Sequence, residues 1–242
     1  MDNAKIQALQ TIIDNSQRIV FFGGAGVSTE SNIPDFRSVD GLYNQKYDYP
    51  PEEILSHNFF MDDTAEFYRF YRDKMLYLDA KPNKAHLKIA EFEKCGKLSA
   101  VVTQNIDGLH QLAGSKNVFE LHGSVHRNYC MKCHKFFGVE EIVNSEGIPH
   151  CECGGIIKPD VVLYQEGLDE DVIDGAINAI KNADTLIIGG TSLNVYPASG
   201  LIRFFGGSNL VMINKEPTPA DRNADLLISD KIGEVLDMIK VG

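Results

Sequence analysis

Short apolar runs recur along this chain, most followed at once by glycine or polar residues, with helical stretches between or after several of them. No other feature limits its fold so sharply. Residues 18–22, 98–102, 118–121, 185–188, 210–213 and 226–228 read as strands. Ile6, Leu9, Ile12 and Ile13 recur at helical spacing before the first run. Residues 83–94, 169–181 and 231–239 read as helices, and Cys95-Gly96 supplies a helix stop. Strands alternating with helices call for a parallel sheet covered on both faces, an α/β fold.

In such a sheet the carboxyl ends share one edge, and ligands bind outside it. Five small or polar segments follow strands here. They are Gly23–Thr29, Thr103–His110, His122-Gly123, Gly189–Ser192 and Asn214. All should converge on one crevice. Gly24-x-Gly26 follows a strand and precedes an expected helix, as in a phosphate-cradling turn. The full dinucleotide fingerprint wants a third glycine where Thr29 stands, so this motif alone serves a tight turn as well as a nucleotide site.

Two stretches break the alternation. Residues 35–79 are rich in aromatics and charge, with a Tyr-Pro-Pro break at 49–51, and residues 124–160 carry two cysteine pairs. Both read as excursions that pack together. Cys130-x2-Cys133 and Cys151-x-Cys153 have the spacing of a two-knuckle zinc site, and Gly154-Gly155 permits the second knuckle's turn. His150 competes with Cys151 for the fourth position, with four thiolates favoured. A metal with four protein ligands holds structure and does no chemistry. Cys95 is unpaired and reads as a small core residue. The N-terminus has no signal core, no apolar run reaches about 20 residues, and a cytoplasmic protein with no membrane contact is expected. The net charge of −11 over 242 residues argues against nucleic acid as a partner.

His122 stands out among the histidines, since it directly follows a strand and precedes a glycine. At the crevice edge it can serve as a general base. Taken in order, Gly24-Ala25-Gly26-Val27-Ser28, Ile33-Pro34-Asp35-Phe36-Arg37, Thr103-Gln104-Asn105-Ile106-Asp107-Gly108-Leu109-His110, His122-Gly123, the cysteine pairs and Gly190-Thr191-Ser192-Leu193 resemble the sirtuin family of NAD-dependent protein deacylases. The motifs span nearly the whole chain, which is close to a minimal catalytic core.

The resemblance implies a Rossmann-like domain from 1–34, 80–123 and 163–242. It implies a small domain from 35–79, the cofactor loop and helical module, and 124–162, the zinc ribbon. It also implies NAD as co-substrate, one structural zinc and acetyl-lysine-bearing proteins or peptides as partners, with the chain acting as a monomer. In the family the acyl oxygen attacks the nicotinamide ribose, nicotinamide leaves, and a histidine-activated ribose hydroxyl takes the acyl group, giving free lysine and O-acyl-ADP-ribose.

On that pattern His122 is the base, Asn105 positions ribose and water, and Asp107 holds the nicotinamide carboxamide with Ile106 beside it. Phe36 shields the anomeric carbon and Arg37 meets phosphate or ribose. Gly24, Ala25, Gly26 and Thr29 form the pyrophosphate loop. Gln104, Gly190, Thr191, Ser192 and Asn214 line the cofactor site, and Ile232 backs the adenine. Val162, Tyr164, Asn194 and Val195 pair with the substrate backbone, as strand addition would. The stretch 35–50 is expected to be mobile without NAD.

Many sirtuins have Phe-Gly-Glu where this chain has Tyr164-Gln165-Glu166, and Gln165 should narrow the acceptor cleft. Members that remove succinyl or malonyl groups carry Tyr-x-x-Arg on the small-domain helix, whereas this chain has Tyr68-x-x-Tyr71, with Arg72 one position on. A preference for acetyl or other uncharged acyl groups follows. The alternatives are a protein ADP-ribosyltransferase on the same fold and a non-catalytic NAD-binding or zinc-ribbon module. Intact His122 and Asn105 favour deacylation over both.

Overall fold

In the computed structural model, which describes residues 2–35 and 49–241, the six apolar runs form one parallel sheet. Its strands are β1 (Ile19–Gly23), β2 (Leu98–Thr103), β3 (Val118–Glu120), β7 (Thr185–Gly189), β8 (Asn209–Ile213) and β9 (Leu226–Ile228), in the order β3-β2-β1-β7-β8-β9. The chain winds outward from β1 in one direction through β2 and β3, and in the other from β7 to β9. The crevice of a doubly wound sheet lies where that order reverses, between β1 and β7.

Side-chain alternation assigns the two faces. Ile19 and Phe21 of β1 join one apolar cluster, while Val20 and Phe22 join another, as a period of two requires. The first cluster is covered by α1 (Asn3–Asn15), α5 (Lys84–Lys94) and α9 (Ile232–Asp237), through Leu9, Ile89 and Val235 among others. The second is covered by α8 (Glu170–Asn182) and the turn Ala198–Phe204, through Ala176, Ile180 and Leu201. Every residue of β1 and β7 is buried, which is why both read as unbroken apolar runs.

Helix starts fall one residue later than the periodicity suggests, because capping residues have extended backbone. Asn83 accepts from Ala85 N at 2.9 Å and Asp169 from Val172 N at 3.0 Å. Gly96 ends α5 with φ 73°. Cys95, expected in the core, is exposed at the C-cap of α5, because the face that would bury it ends with the last helical turn.

The described parts of the two excursions pack together. Helices α2 (Pro51–Ile54), α3 (His57–Asp62) and α4 (Thr64–Lys74) bury Ile54, Phe60, Phe67, Tyr68 and Tyr71 against Val125, Cys130, Ile157 and Val161. The latter four belong to a three-stranded antiparallel sheet of β4 (Gly123–Cys130), β5 (Phe136–Phe137) and β6 (Ile157–Val161), ordered β5-β4-β6. Arg127 on β4 ties the two sheets, bonding Glu120 of β3 and, at 2.7 Å, Asp160 of β6. Two short helices, α6 (Leu109–Ala113) and α7 (Val139–Asn144), complete the elements. Among the described residues no helix is long and apolar enough to cross a membrane.

Candidate active site

The strand ends open onto a cavity of ≈ 610 Å³ that reaches from Ala25 and Gly26 after β1 to Ile232 at the start of α9. After β1 the structure departs from expectation. In place of a helix there are two single 3₁₀ turns, Ala25–Val27 and Thr29–Ser31. Asn32 adopts φ 63° and Ile33 precedes Pro34, so helix cannot propagate. Gly26 N–H donates to Gly190 O at 2.8 Å, and a Cβ on Gly26 would lie 2.8 Å from the Gly190 backbone. The loops after β1 and β7 therefore touch backbone to backbone at the switch point. That contact requires glycine, which accounts for the motif without its third glycine. Thr29, in the third-glycine position, turns its hydroxyl onto Gly26 O at 2.9 Å.

A polar chain crosses the strand ends. Gln104 Nε2 donates to Thr191 Oγ1 at 3.1 Å, and Thr191 N–H donates to Asn214 Oδ1 at 3.0 Å. Asn214 Nδ2 is buried with no hydrogen-bond partner among the described residues. An orphaned amide donor on a cavity wall is costly unless a ligand acceptor reaches it. It fits the adenosine half of a dinucleotide. On the other side Asn105 Nδ2 donates to Ser28 Oγ at 3.0 Å, and Ser28 Oγ donates to Asp107 Oδ2 at 2.6 Å. Asp107 Oδ1 takes the Leu109 amide at 2.9 Å. Asn105 is thus fixed by its nitrogen, leaving its carbonyl oxygen for a hydroxyl or water. Ser28 lay inside the recognised motif, yet only the fold gives it this bridging place.

His122 sits between β3 and β4 on the cavity wall, with Nδ1 3.0 Å from Gln104 O. A carbonyl only accepts, so Nδ1 carries the proton and Nε2 keeps its lone pair. Burial pulls the imidazole pKa below its ordinary value, against a smaller upward pull from the Gln104 bond. The ring is neutral near pH 7. Its position depends on Gly123, which has φ 74° and whose Cβ would strike Asp160 O. No side chain fits there, so β4 can lie against β6 directly after the histidine.

Of the other expected residues, Ile106, Asp107, Gly190, Ser192, Val162, Tyr164 and Val195 line the same cavity. Gly24 and Asn194 do not: Gly24 packs behind Thr191, and Asn194 is exposed. Phe36 and Arg37, with the expected mobility of their loop, lie outside the described residues. Tyr196, 78% exposed at the cavity mouth, carried no signal in the sequence.

The Sγ atoms of Cys130, Cys133, Cys151 and Cys153 all lie within 4.8 Å of one another. His150 is exposed and outside this cluster, which resolves the choice in favour of Cys151. Gly154 has φ 81° and Gly155 approaches Cys130 Sγ so closely that a Cβ would sit 2.6 Å from it. The donor set fits tetrahedral zinc, and none of the four lines the cavity.

Beneath Asp107 lie two buried histidines, His86 and His110, with ring centroids 4.7 Å apart. Among the described residues neither His110 nitrogen has a partner, nor does His86 Nε2. Burial lowers the pKa of both, His86 to about 4, despite an upward pull from Asp107. The unfolded chain takes up these protons below about 6.5, whereas the fold refuses them. Stability is therefore unaffected above that pH and falls below it, by about 1.4 kcal/mol per pH unit for each ring kept neutral. For His86 the loss levels off near pH 4. Urea unfolding at pH 7.5 and 5 should show the drop, and His110→Phe should show a smaller one.

Residues 24–197 match the Sir2 family. An NAD-dependent protein deacetylase of Clostridium acetobutylicum is 62% identical over 239 residues, covering 97% of this chain and 98% of its own length. One from Cutibacterium acnes is 51% identical, covering 94% of each. Among solved structures, a Sir2 enzyme 41% identical superposes with a TM-score of 0.88 over 98% of this chain and 96% of its own. A Sir2 histidine-to-alanine variant with a deacetylated peptide and 3′-O-acetyl-ADP-ribose is 37% identical, with a TM-score of 0.89 and 96% of each chain covered.

Proposed function

The chain belongs to the Sir2 family, and from that membership and the crevice geometry we propose that it is an NAD-dependent protein-lysine deacetylase working through His122. It moves the acetyl group of acetyl-lysine in cytoplasmic proteins or peptides onto ADP-ribose, releasing nicotinamide, free lysine and O-acetyl-ADP-ribose. NAD, when bound, supplies an electrophilic ribose carbon, a nicotinamide leaving group and the hydroxyls that receive the acetyl group.

The observation that carries the reading is the pinned tautomer of His122, a cavity-lining neutral ring whose Nδ1 is bound to Gln104 O, so that Nε2 keeps its lone pair. Nε2 takes the proton of a ribose hydroxyl, and the Gln104 carbonyl stabilises the imidazolium that results. Asn105, anchored through Ser28, orients hydroxyl and water by its carbonyl oxygen. Asp107 keeps lone pairs on both oxygens for a carboxamide donor. Gly26 and Gly190 let the pyrophosphate approach backbone, and Asn214 Nδ2 meets an adenosine acceptor. The four cysteines hold zinc outside the cavity, and the metal takes no part in the reaction.

Mass spectrometry of the protein with NAD and an acetyl-lysine peptide tests this. O-acetyl-ADP-ribose together with free lysine is expected. ADP-ribose on protein, with no deacetylation, would move the assignment to a transferase.

Uncharged acyl groups are the expected substrates. Arg72 donates Nε to Ile142 O at 2.8 Å, and Nη2 to Ser145 Oγ at 2.8 Å and Gly147 O at 2.7 Å. It ties α4 to the end of α7, and neither it nor Tyr68 lines the cavity. Acetyl-peptide turnover should exceed succinyl-peptide turnover by about tenfold or more, since Arg72 is engaged at α7 and does not meet an acyl carboxylate. Arg72→Ala should lower stability by about 1–3 kcal/mol and leave that ratio unchanged.

A further inference from the structure

The Glu166 carboxylate gathers donors from three segments beside the acceptor side of the cavity. Oε2 accepts from Leu163 N–H at 2.9 Å and from Lys158 Nζ at 3.1 Å, and Oε1 lies 3.0 Å from His57 Nδ1. Lys158 belongs to β6 and His57 opens α3. Glu166 N–H returns to Leu163 O at 3.0 Å, closing a turn in which Gln165 takes φ 75°. Burial alone would raise the carboxyl pKa, but the bonds from His57, Leu163 and Lys158 outweigh it and hold the group below its ordinary range, ionised.

Backbone accounting gives this clamp a consequence. Val162 N–H donates to His122 O at 3.0 Å. Tyr164 donates to Leu55 O at 2.9 Å, and its own carbonyl accepts from His57 N–H at 2.9 Å. Glu166 occupies both polar groups of Leu163. The Val162 carbonyl and the Gln165 amide remain without a partner among the described residues, and both residues line the cavity. Gln165 does not narrow the cleft with its amide head, since Oε1 turns to accept from Asn58 N–H at 3.1 Å.

We propose that Glu166, braced by Lys158 and His57, is a positioning residue for the acyl-lysine peptide: by holding the Leu163 amide it determines which backbone groups of 162–165 face the incoming strand. This deepens the deacetylase reading and rests on it. Without the carboxylate, Leu163 N–H loses its acceptor and the 163–166 turn is left with only its Glu166 N–H to Leu163 O bond, so the segment presents a mixture of edges to the peptide.

The test is direct binding of a fluorescent acetyl-lysine peptide by anisotropy, beside steady-state kinetics, for wild type, Glu166→Ala and Lys158→Met. Glu166→Ala, which leaves Leu163 N–H no side-chain acceptor, should weaken peptide binding and raise the peptide KM about tenfold, with kcat and the NAD KM within about twofold. Lys158→Met, which removes a brace and keeps the Leu163 bond, should shift the same quantity less. Unchanged peptide affinity in both variants overturns the proposal, as does a rise in the NAD KM equal to that for peptide. If Glu166→Ala fails to fold, Lys158→Met decides by the same split. If wild type binds acetyl-peptide without turning it over, the deacetylase reading fails while the binding comparison still decides the role of Glu166.

Discussion

His122→Ala should lower O-acetyl-ADP-ribose formation by about 10²–10⁴-fold, the usual worth of a positioned general base. The ring sits on a cavity wall with Nδ1 committed to Gln104 O, so its loss removes a proton acceptor and leaves the wall standing. NAD affinity should stay within about threefold, because the backbone cradle of Gly26 and Gly190 and the Asn214 amide are untouched. The pH profile of the wild type carries a second signature. The base works only when neutral, so rate falls as pH drops through its pKa. Burial places that inflection below the ordinary 6.5. A profile that loses half its rate above pH 7 would contradict the assignment, as would an alanine variant with near-normal turnover.

Removing zinc should cost nearly as much activity by a different route. Cys130 and Cys151 are buried within the same apolar cluster as Phe60, Phe67 and Val161. Structural zinc sites contribute about 10 kcal/mol or more to the folding of small metal domains. Chelation, or Cys130→Ser, should therefore loosen the three-stranded sheet, lower the thermal midpoint and abolish deacetylation. The loss passes through position, since β4 begins at Gly123, directly after His122, and β6 leads into Val162. Cobalt in place of zinc should keep turnover within about twofold, because a four-thiolate site has no open position at which the metal could act. A large change in kcat on that exchange would place the metal in the chemistry. Metal analysis of the untreated protein should find one zinc per chain.

Much of the fold was legible because its signals are local. An apolar run buried on both faces, as in β1 and β7, has no alternation to disguise it, and a glycine after a helix marks its end whatever surrounds it. The cysteine pairs announced a metal through spacing alone. Less legible were features that depend on a partner distant in the chain. The helix expected after Gly24-x-Gly26 became two single turns because Asn32 and Pro34 close it off. Cys95, apolar in character, fell on an exposed cap. Whether Arg72 faced an acyl group or a helix end was decided by α7, about 70 residues away in the chain.

The order of motifs by itself determined the architecture, the family and the cysteine pairs of the metal site, and it singled out His122 as the candidate base, since each rests on residue type and near spacing. Tertiary structure alone decided which nitrogen of His122 is free, that Ser28 joins Asn105 to Asp107, that Asn214 holds an unsatisfied donor over the cavity, and that the Glu166 carboxylate takes the Leu163 amide. These are hydrogen bonds between groups tens of residues apart or between a side chain and a particular backbone atom. Their energy depends on distances of a few tenths of an ångström and on the exclusion of water, and both come into being only when the sheet edge and the two excursions meet.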